Sequence, residues 1–276
     1  MKTLYVSDLD GTLMQPDARI SAEATDLLNK SIADGKLFTV ATARTPATVS
    51  TILSGIDMRL PAIVMTGASL WDTKSGRYLR ERHLPEEGAR QLIDTYLERG
   101  TSSFVYVLDR DLIDIYHIGG PVTELQRQFI TERVDNPYKR VHWNDDGDPE
   151  FRGDISKVIL LYTMLPDAVA ASTYEATKGI EGIRPQYYHD IFGPEVGILE
   201  AFSAEATKAK AMRALAEQVG ADRIVAFGDN INDLPMMRQA DLAVAVDNAL
   251  PEVKAEADIV IGPNTDDSVA RFIFQD

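Results

Sequence analysis

The stretch Leu4-Tyr5-Val6-Ser7-Asp8-Leu9-Asp10-Gly11-Thr12 decides how the rest of this chain is read. Its short apolar run reads as a buried strand. Two carboxylates stand at the carboxyl end of that strand, two residues apart, so both side chains can point the same way. Gly11 then frees the backbone to turn sharply. Like charges a few ångströms apart repel, and one stays protonated unless a cation sits between them. A divalent metal resolves that conflict, and a set of oxygen ligands favours magnesium. The alternative is that Asp10 or Thr12 merely caps the start of the next segment. The stretch by itself leaves both readings open.

Outward from it, Ser21 to Ala33 carries Ala24, Leu27, Leu28 and Ile32 at helical spacing, and Gly35 ends the helix. Leu37 to Ala41 reads as a second buried strand with Thr42-Ala43-Arg44 at its end. Thr45-Pro46 opens another helix, with proline at the tolerated first position. Pro61 to Met65 is a third strand, ending in Thr66-Gly67-Ala68. Strands alternating with helices across short loops specify a parallel sheet with helices on its faces. Ligands of such sheets bind beyond the carboxyl ends of the strands. Asp8, Asp10 and Thr42 fall on that edge.

From about residue 70 the pattern becomes α+β. A hairpin is expected around Ser75-Gly76, a helix over Glu86 to Leu97, and paired strands over Ser103 to Leu108 and Leu112 to Ile118. Val122 to Phe129 reads as a helix, Ile155 to Tyr162 as a strong strand, Pro166 to Thr177 as a helix and Ile183 to Tyr188 as a weak strand. The acidic run 144–150 is read as a solvated loop. Placing Gly147 sixth in a calcium loop would put His142 where a carboxylate belongs. The parallel pattern is expected to resume at Gly197 to Ala201 and to continue through Arg223 to Phe227, Asp241 to Val246 and Asp258 to Ile261. The expected organisation is therefore a core domain in two parts, 1–83 and 191–276, with a second domain inserted at 84–190.

Composition narrows the function. The chain has 276 residues, 45% hydrophobic and 26% charged, as an ordinary soluble globular protein does. A formal net charge of −15 speaks against nucleic acid or an anionic membrane as the main partner. Any anionic substrate must then be held by a local device such as a metal or a placed lysine. There is no cysteine, hence no disulfide or thiolate chemistry. With neither a signal-peptide pattern nor a long apolar span, a cytoplasmic enzyme is expected, as a monomer or a homodimer.

Asp8, Asp10, Asp229 and Asp233 thus lie at strand ends, with Lys208 and Thr42 on neighbouring elements. Lys208 in the first turn of a helix opposes the helix dipole, which is a reason to suspect function, the common alternative being an exposed lysine. Carboxylates around a divalent ion form an oxygen-seeking site for a phosphate, and lysine and threonine add the donors that carboxylates lack. A carboxylate can attack phosphorus while a neighbour moves the proton. Phosphate-monoester hydrolysis is slow enough uncatalysed to require accelerations up to ~10²¹, so a full constellation of groups is expected.

Asp8-Leu9-Asp10-Gly11-Thr12, Thr42-Ala43-Arg44, Lys208 and Gly228-Asp229-Asn230-Ile231-Asn232-Asp233 resemble the four motifs of the haloacid dehalogenase superfamily. The insertion between the second and third resembles the Cof-like subfamily with its large α/β cap. The resemblance covers nearly all of 1–80 and 195–276, and in the cap it is one of size and position. It implies a Rossmann-like α/β core with an inserted α+β cap domain, and a Mg2+-dependent phosphatase acting on small phosphorylated metabolites, sugar phosphates first. The cap would close over the site and select the ester. Asp8 would be nucleophile and metal ligand. Asp10 would be general acid and base, with its backbone carbonyl on the metal. Asp229 would be a further ligand, and Asp233 would act through water or orient its neighbours. Thr42, Ala43, Arg44, Lys208, Asn232 and the backbone of Leu9 would bind phosphate or substrate, although Arg44 has a second reading in which it pairs with a core acid instead of touching substrate. Three positions depart from the family pattern: Ala43 and Ala209 stand where glycine is usual, and Thr66 where asparagine often precedes Gly-Ala. A phosphomutase, or a phosphate-accepting regulator with a long-lived aspartyl phosphate, is the competing reading. The acid at Asp10 and the large insertion speak against the regulator.

Overall fold

The computed structural model describes residues 1–131, 137–144, 150–189 and 192–276. In chain order the elements are β1 (Thr3–Ser7), α1 (Ala22–Ala33), β2 (Leu37–Val40), α2 (Pro46–Ile52), β3 (Ala62–Val64), β4 (Ser69–Asp72), β5 (Arg77–Glu81), α3 (Glu86–Glu98), β6 (Ser103–Asp109), β7 (Leu112–Ile118) and α4 (Glu124–Thr131). There follow β8 (Lys139–His142), β9 (Val158–Pro166), α5 (Asp167–Thr177), β10 (Ile183–Tyr188), β11 (Val196–Ser203), α6 (Lys208–Val219), β12 (Arg223–Gly228), α7 (Leu234–Met237), β13 (Leu242–Val246), α8 (Pro251–Glu256), β14 (Ile259–Ile261) and α9 (Ser268–Gln275). The chain divides into two compact units, one made of Met1–Arg80 with Ala206–Asp276, the other of Glu81–Glu205.

The first unit is built on a parallel sheet in the order β14-β13-β12-β1-β2. Its central strands are apolar on both faces, with Leu4, Val6, Val40, Val225, Phe227 and Val244 all buried. A sheet covered by helices on both faces imposes that pattern. β1 lies between β2 and β12, so the segments following β1 and β12 leave the same edge side by side. In such folds the ligand crevice opens there, where consecutive connections diverge. β3 joins the parallel sheet through one bridge, Ala41 to Ile63, and then pairs antiparallel with β4. The expected third parallel strand is therefore short and turns away into a small three-stranded sheet.

Helix ends are fastened as the sequence allows. Ser21 Oγ accepts from the Ala24 amide at 2.9 Å and starts α1. Thr207 Oγ1 accepts from the Lys210 amide at 3.0 Å and starts α6, which Gly220 closes in the left-handed region.

The second unit holds a six-stranded sheet in the order β10-β11-β9-β6-β7-β8. Its core is formed by Leu92, Ile93 and Tyr96 of α3 against Val105, Val158, Leu161 and Leu199. Two expectations are corrected here. Gly197 to Ala201 does not resume the parallel core; β11 is antiparallel to both β9 and β10 and belongs to the second unit, which runs to Glu205. A short apolar run is buried equally well in either sheet, so composition does not separate the two. The strong strand begins at Val158 after a helical turn over Ile155–Lys157, so Lys157 is not a strand residue; its Nζ pairs with Asp109 Oδ1 at 2.7 Å. Residues 145–149 of the acidic run lie outside the described residues.

Candidate active site

Asp8 directly follows β1 and is 6% exposed. The chain then makes a tight turn over Leu9–Leu13, with Gly11 at φ 74°. A Cβ at Gly11 would lie 2.4 Å from Asp229 Oδ2, so only glycine lets the turn approach that carboxylate. Thr12 Oγ1 donates to Asp229 Oδ1 at 2.7 Å. The two motifs, more than two hundred positions apart, thus meet through a hydroxyl and a missing side chain.

Lys208, the first residue of α6, is 3% exposed. Its Nζ donates to Asp8 Oδ1 at 2.5 Å and to Asp233 Oδ1 at 2.8 Å. Asp233 is fully buried, and its Oδ2 accepts from the amides of Asp229 and Asn230 at 3.2 Å each. This is a capping box that closes the turn after β12. One carboxylate therefore both shapes the turn that carries Asp229 and steadies the lysine. Asp233 thus orients its neighbours and also stands in the carboxylate cluster with Asp8 and Asp229.

Asp8, Asp229 and Asp233 each present a carboxylate oxygen within 4.8 Å of the others. Lys208 takes Oδ1 of Asp8 and Thr12 takes Oδ1 of Asp229; the second oxygens make no hydrogen bond among the described residues. Burial pushes the Asp8 carboxyl well above its usual range; Lys208 pulls it back, and Asp233 adds to the rise. Burial likewise pushes Asp229 up to about 6, against the hydrogen bond from Thr12. Burial would lower Lys208, but Asp233 and Asp8 outweigh it and hold the ammonium above its ordinary value. Two buried acids and a half-buried one against one lysine leave excess negative charge and free carboxylate oxygens in one place. A divalent cation with oxygen ligands fits that donor set.

Asp10 lies outside this triad. Its carboxylate is half exposed and forms a two-point pair with Arg44, Nε to Oδ2 at 2.8 Å and Nη2 to Oδ1 at 2.6 Å. Arg44 thus does pair with an acid. Thr42 is buried and its Oγ1 accepts from the Arg44 amide at 3.1 Å. Ala43 is exposed with a negative φ, so its backbone conformation does not require glycine, and Ala209 is a buried helix residue. Leu9 is fully buried, and Asn232 is exposed on the turn between Asn230 and Asp233. Thr66 occupies the left-handed region at φ 56°, where asparagine is the easier occupant. Its amide donates to Thr42 O at 2.9 Å, and the Met65 amide to Arg44 O at 3.0 Å.

Two contributors were not singled out from sequence. Thr12 sat inside a quoted motif, but its partner is visible only in three dimensions. Asn248 follows β13 on the carboxyl edge of the sheet, and that position was the available signal; its Nδ2 donates to Gly11 O at 2.7 Å.

The family model of the haloacid dehalogenase-like hydrolases matches residues 5–273. The chain is 28% identical over 280 residues to the pyridoxal phosphate phosphatase YbhA of Escherichia coli, covering 97% of this chain and 96% of that one. It is 26% identical over 294 residues to the Bacillus subtilis 5-amino-6-(5-phospho-D-ribitylamino)uracil phosphatase YwtE, covering 100% and 98%. Among solved structures, the subclass IIB sugar phosphatase BT4131 superposes with a TM-score of 0.71 at 20% identity, covering 100% of this chain and 98% of that chain, which speaks to the fold. Among the described residues no helix is long and apolar enough to cross a membrane. The chain belongs to the haloacid dehalogenase-like hydrolases and, within them, to the phosphoric monoester hydrolases.

Proposed function

We propose that the chain hydrolyses phosphate monoesters of small metabolites, sugar phosphates foremost, with magnesium, through a phosphoryl group carried on Asp8. The observation that carries this reading is the buried Asp8 carboxylate held 2.5 Å from the Lys208 ammonium, with Asp229 and Asp233 beside it. Magnesium held by Asp8, Asp229 and the Asp10 backbone carbonyl would supply positive charge against the phosphoryl oxygens.

Asp8 is the nucleophile. Its free oxygen forms a bond to phosphorus as the bond from phosphorus to the ester oxygen breaks. The leaving oxygen takes a proton from Asp10. To reach it, the Asp10 carboxyl trades the Arg44 guanidinium for the substrate. In the second step Asp10 accepts a proton from water as the water oxygen attacks phosphorus. The bond to Asp8 breaks, phosphate leaves, and the carboxylate is restored. Lys208, the Thr42 hydroxyl, the Leu9 amide and Asn232 serve as donors to the phosphoryl oxygens, where the developing charge is greatest. Lys208 is already charged, buried and positioned, so little rearrangement opposes the step.

The relatives named above act on pyridoxal phosphate and on a phosphorylated ribitylaminouracil, which supports a compact phosphorylated metabolite as substrate here. The test is phosphate release from p-nitrophenyl phosphate and from a panel of sugar phosphates, pyridoxal phosphate and nucleotides, with and without magnesium. Turnover is expected only with the metal and not in Asp8→Asn. Full activity in that variant overturns the nucleophile assignment.

A further inference from the structure

Asn248 bridges two segments of the same unit. Its Nδ2 donates to Gly11 O at 2.7 Å, while its Oδ1 accepts from the Asn264 amide at 2.9 Å. Asn264, itself buried, sends its own Nδ2 to Met14 O at 2.7 Å. Two side-chain amides thus clamp the middle and the far end of the turn that follows the nucleophile. Two residues past Asn248, the Leu250 amide donates to Asp229 O at 2.9 Å. The single segment between β13 and α8 therefore holds the backbone of both Gly11 and Asp229. Between those two points Thr12 Oγ1 reaches Asp229 Oδ1.

We propose that Asn248 is a positioning residue for the metal-holding carboxylates. It fixes the plane of the Gly11–Thr12 peptide, and through it the Thr12 hydroxyl and the side chain of Asp229. The Gly11 carbonyl needs a donor to keep this orientation, since a glycine in the left-handed region has no side chain to hinder the peptide from turning over. Groups that orient metal ligands without touching the ion commonly carry about 10- to 100-fold of metal affinity or activity. This inference rests on the magnesium reading above and goes beyond it, because it assigns a role to a residue outside the four motifs.

The experiment compares the full-length wild type with Asn248→Ala and Asn248→Gln. It uses magnesium binding by calorimetry, steady-state kinetics on p-nitrophenyl phosphate, and thermal unfolding. In Asn248→Ala the magnesium dissociation constant is expected to rise about tenfold. At saturating metal kcat falls and KM stays near the wild-type value, while Asn248→Gln, which keeps donor and acceptor, recovers most of both. A variant that melts lower but binds magnesium and turns over like the wild type overturns the positioning role and leaves the phosphatase reading intact. Should Asn248→Ala not fold, Asn248→Gln and Asn264→Ala decide by the same two readouts. A wild type that neither binds magnesium nor releases phosphate defeats the functional reading, and the positioning role with it.

Discussion

Replacing Lys208 by Met removes one charge and strands two others. The ammonium lies 2.5 Å from Asp8 and 2.8 Å from Asp233, and all three side chains are at most 9% exposed. Breaking a buried pair by deleting one partner costs about 3–5 kcal/mol, because the remaining charge has lost both water and its counter-ion. For a unit of roughly 150 residues, each kcal/mol lowers the melting temperature by about 2–4 °C. The metal-free variant should therefore melt about 6–20 °C below the wild type near neutral pH. The pH dependence carries a definite sign. Lys208 is raised in the fold, so its contribution is fully present below the unfolded lysine value and is lost only as pH rises through the higher folded one. Across the weakly acid to neutral range Lys208 itself therefore stays charged. In the variant, Asp8, already pushed up by burial and now without the lysine that pulls it back, relieves its burial by taking up a proton, so the deficit should shrink as pH falls. Magnesium should narrow the gap in the same way by supplying a substitute cation. Circular-dichroism melts over pH, with chelator or with magnesium, measure this directly. Loss of a donor to the phosphoryl group should also lower kcat by about 10²–10³. An unchanged melting temperature, or a deficit that grows in acid, would refute the account of the lysine as the ion holding these carboxylates.

Gly11→Ala places a Cβ 2.4 Å from Asp229 Oδ2 in a turn at φ 74°, so a loss of about 1–2 kcal/mol in urea unfolding is expected, together with weaker magnesium binding. Wild-type values for both would contradict the close approach. Thr66→Asn keeps a polar side chain and eases a β-branched residue at φ 56°, for a gain of about 1 kcal/mol seen as a higher urea midpoint; a lower midpoint would count against strain there. Asp229, raised to about 6 by burial, takes up a proton on folding between the unfolded aspartate value and that value. This contribution to metal-free stability is favourable in acid and fades as pH rises through the window. The same proton competes with the cation, so calorimetry should find magnesium bound more weakly at about pH 5 than at about pH 7.5, and equal affinities would exclude the competition.

The parts of this molecule legible in the sequence are those where one residue type has one job. Asp8, Lys208, Asp229 and Asp233 could be named because strand ends carrying acids, and a lysine where a helix dipole disfavours it, have few bland explanations. The parallel strands were legible for a related reason, since strands buried on both faces read as unbroken apolar runs. The same signal misled at Gly197 to Ala201, because β11 is equally buried in an antiparallel sheet and its one charged residue, Glu200, is itself buried. Pairings between exposed residues were not legible. The Asp10–Arg44 fork joins positions 34 apart and the Asn248–Gly11 bond positions 237 apart, and no local periodicity encodes either. At Ala43 the backbone keeps a negative φ that alanine adopts freely, which a departure from a family pattern does not reveal by itself.

Gly67 sits at φ 90°, and a Cβ on it would come within 2.3 Å of the Thr207 carbonyl, immediately before Lys208. The Met65–Gly67 loop and the first turn of α6 are consequently one mechanical piece. Enlarging the residue at 67 cannot be absorbed locally; it must push the helix start, and the ammonium travels with it.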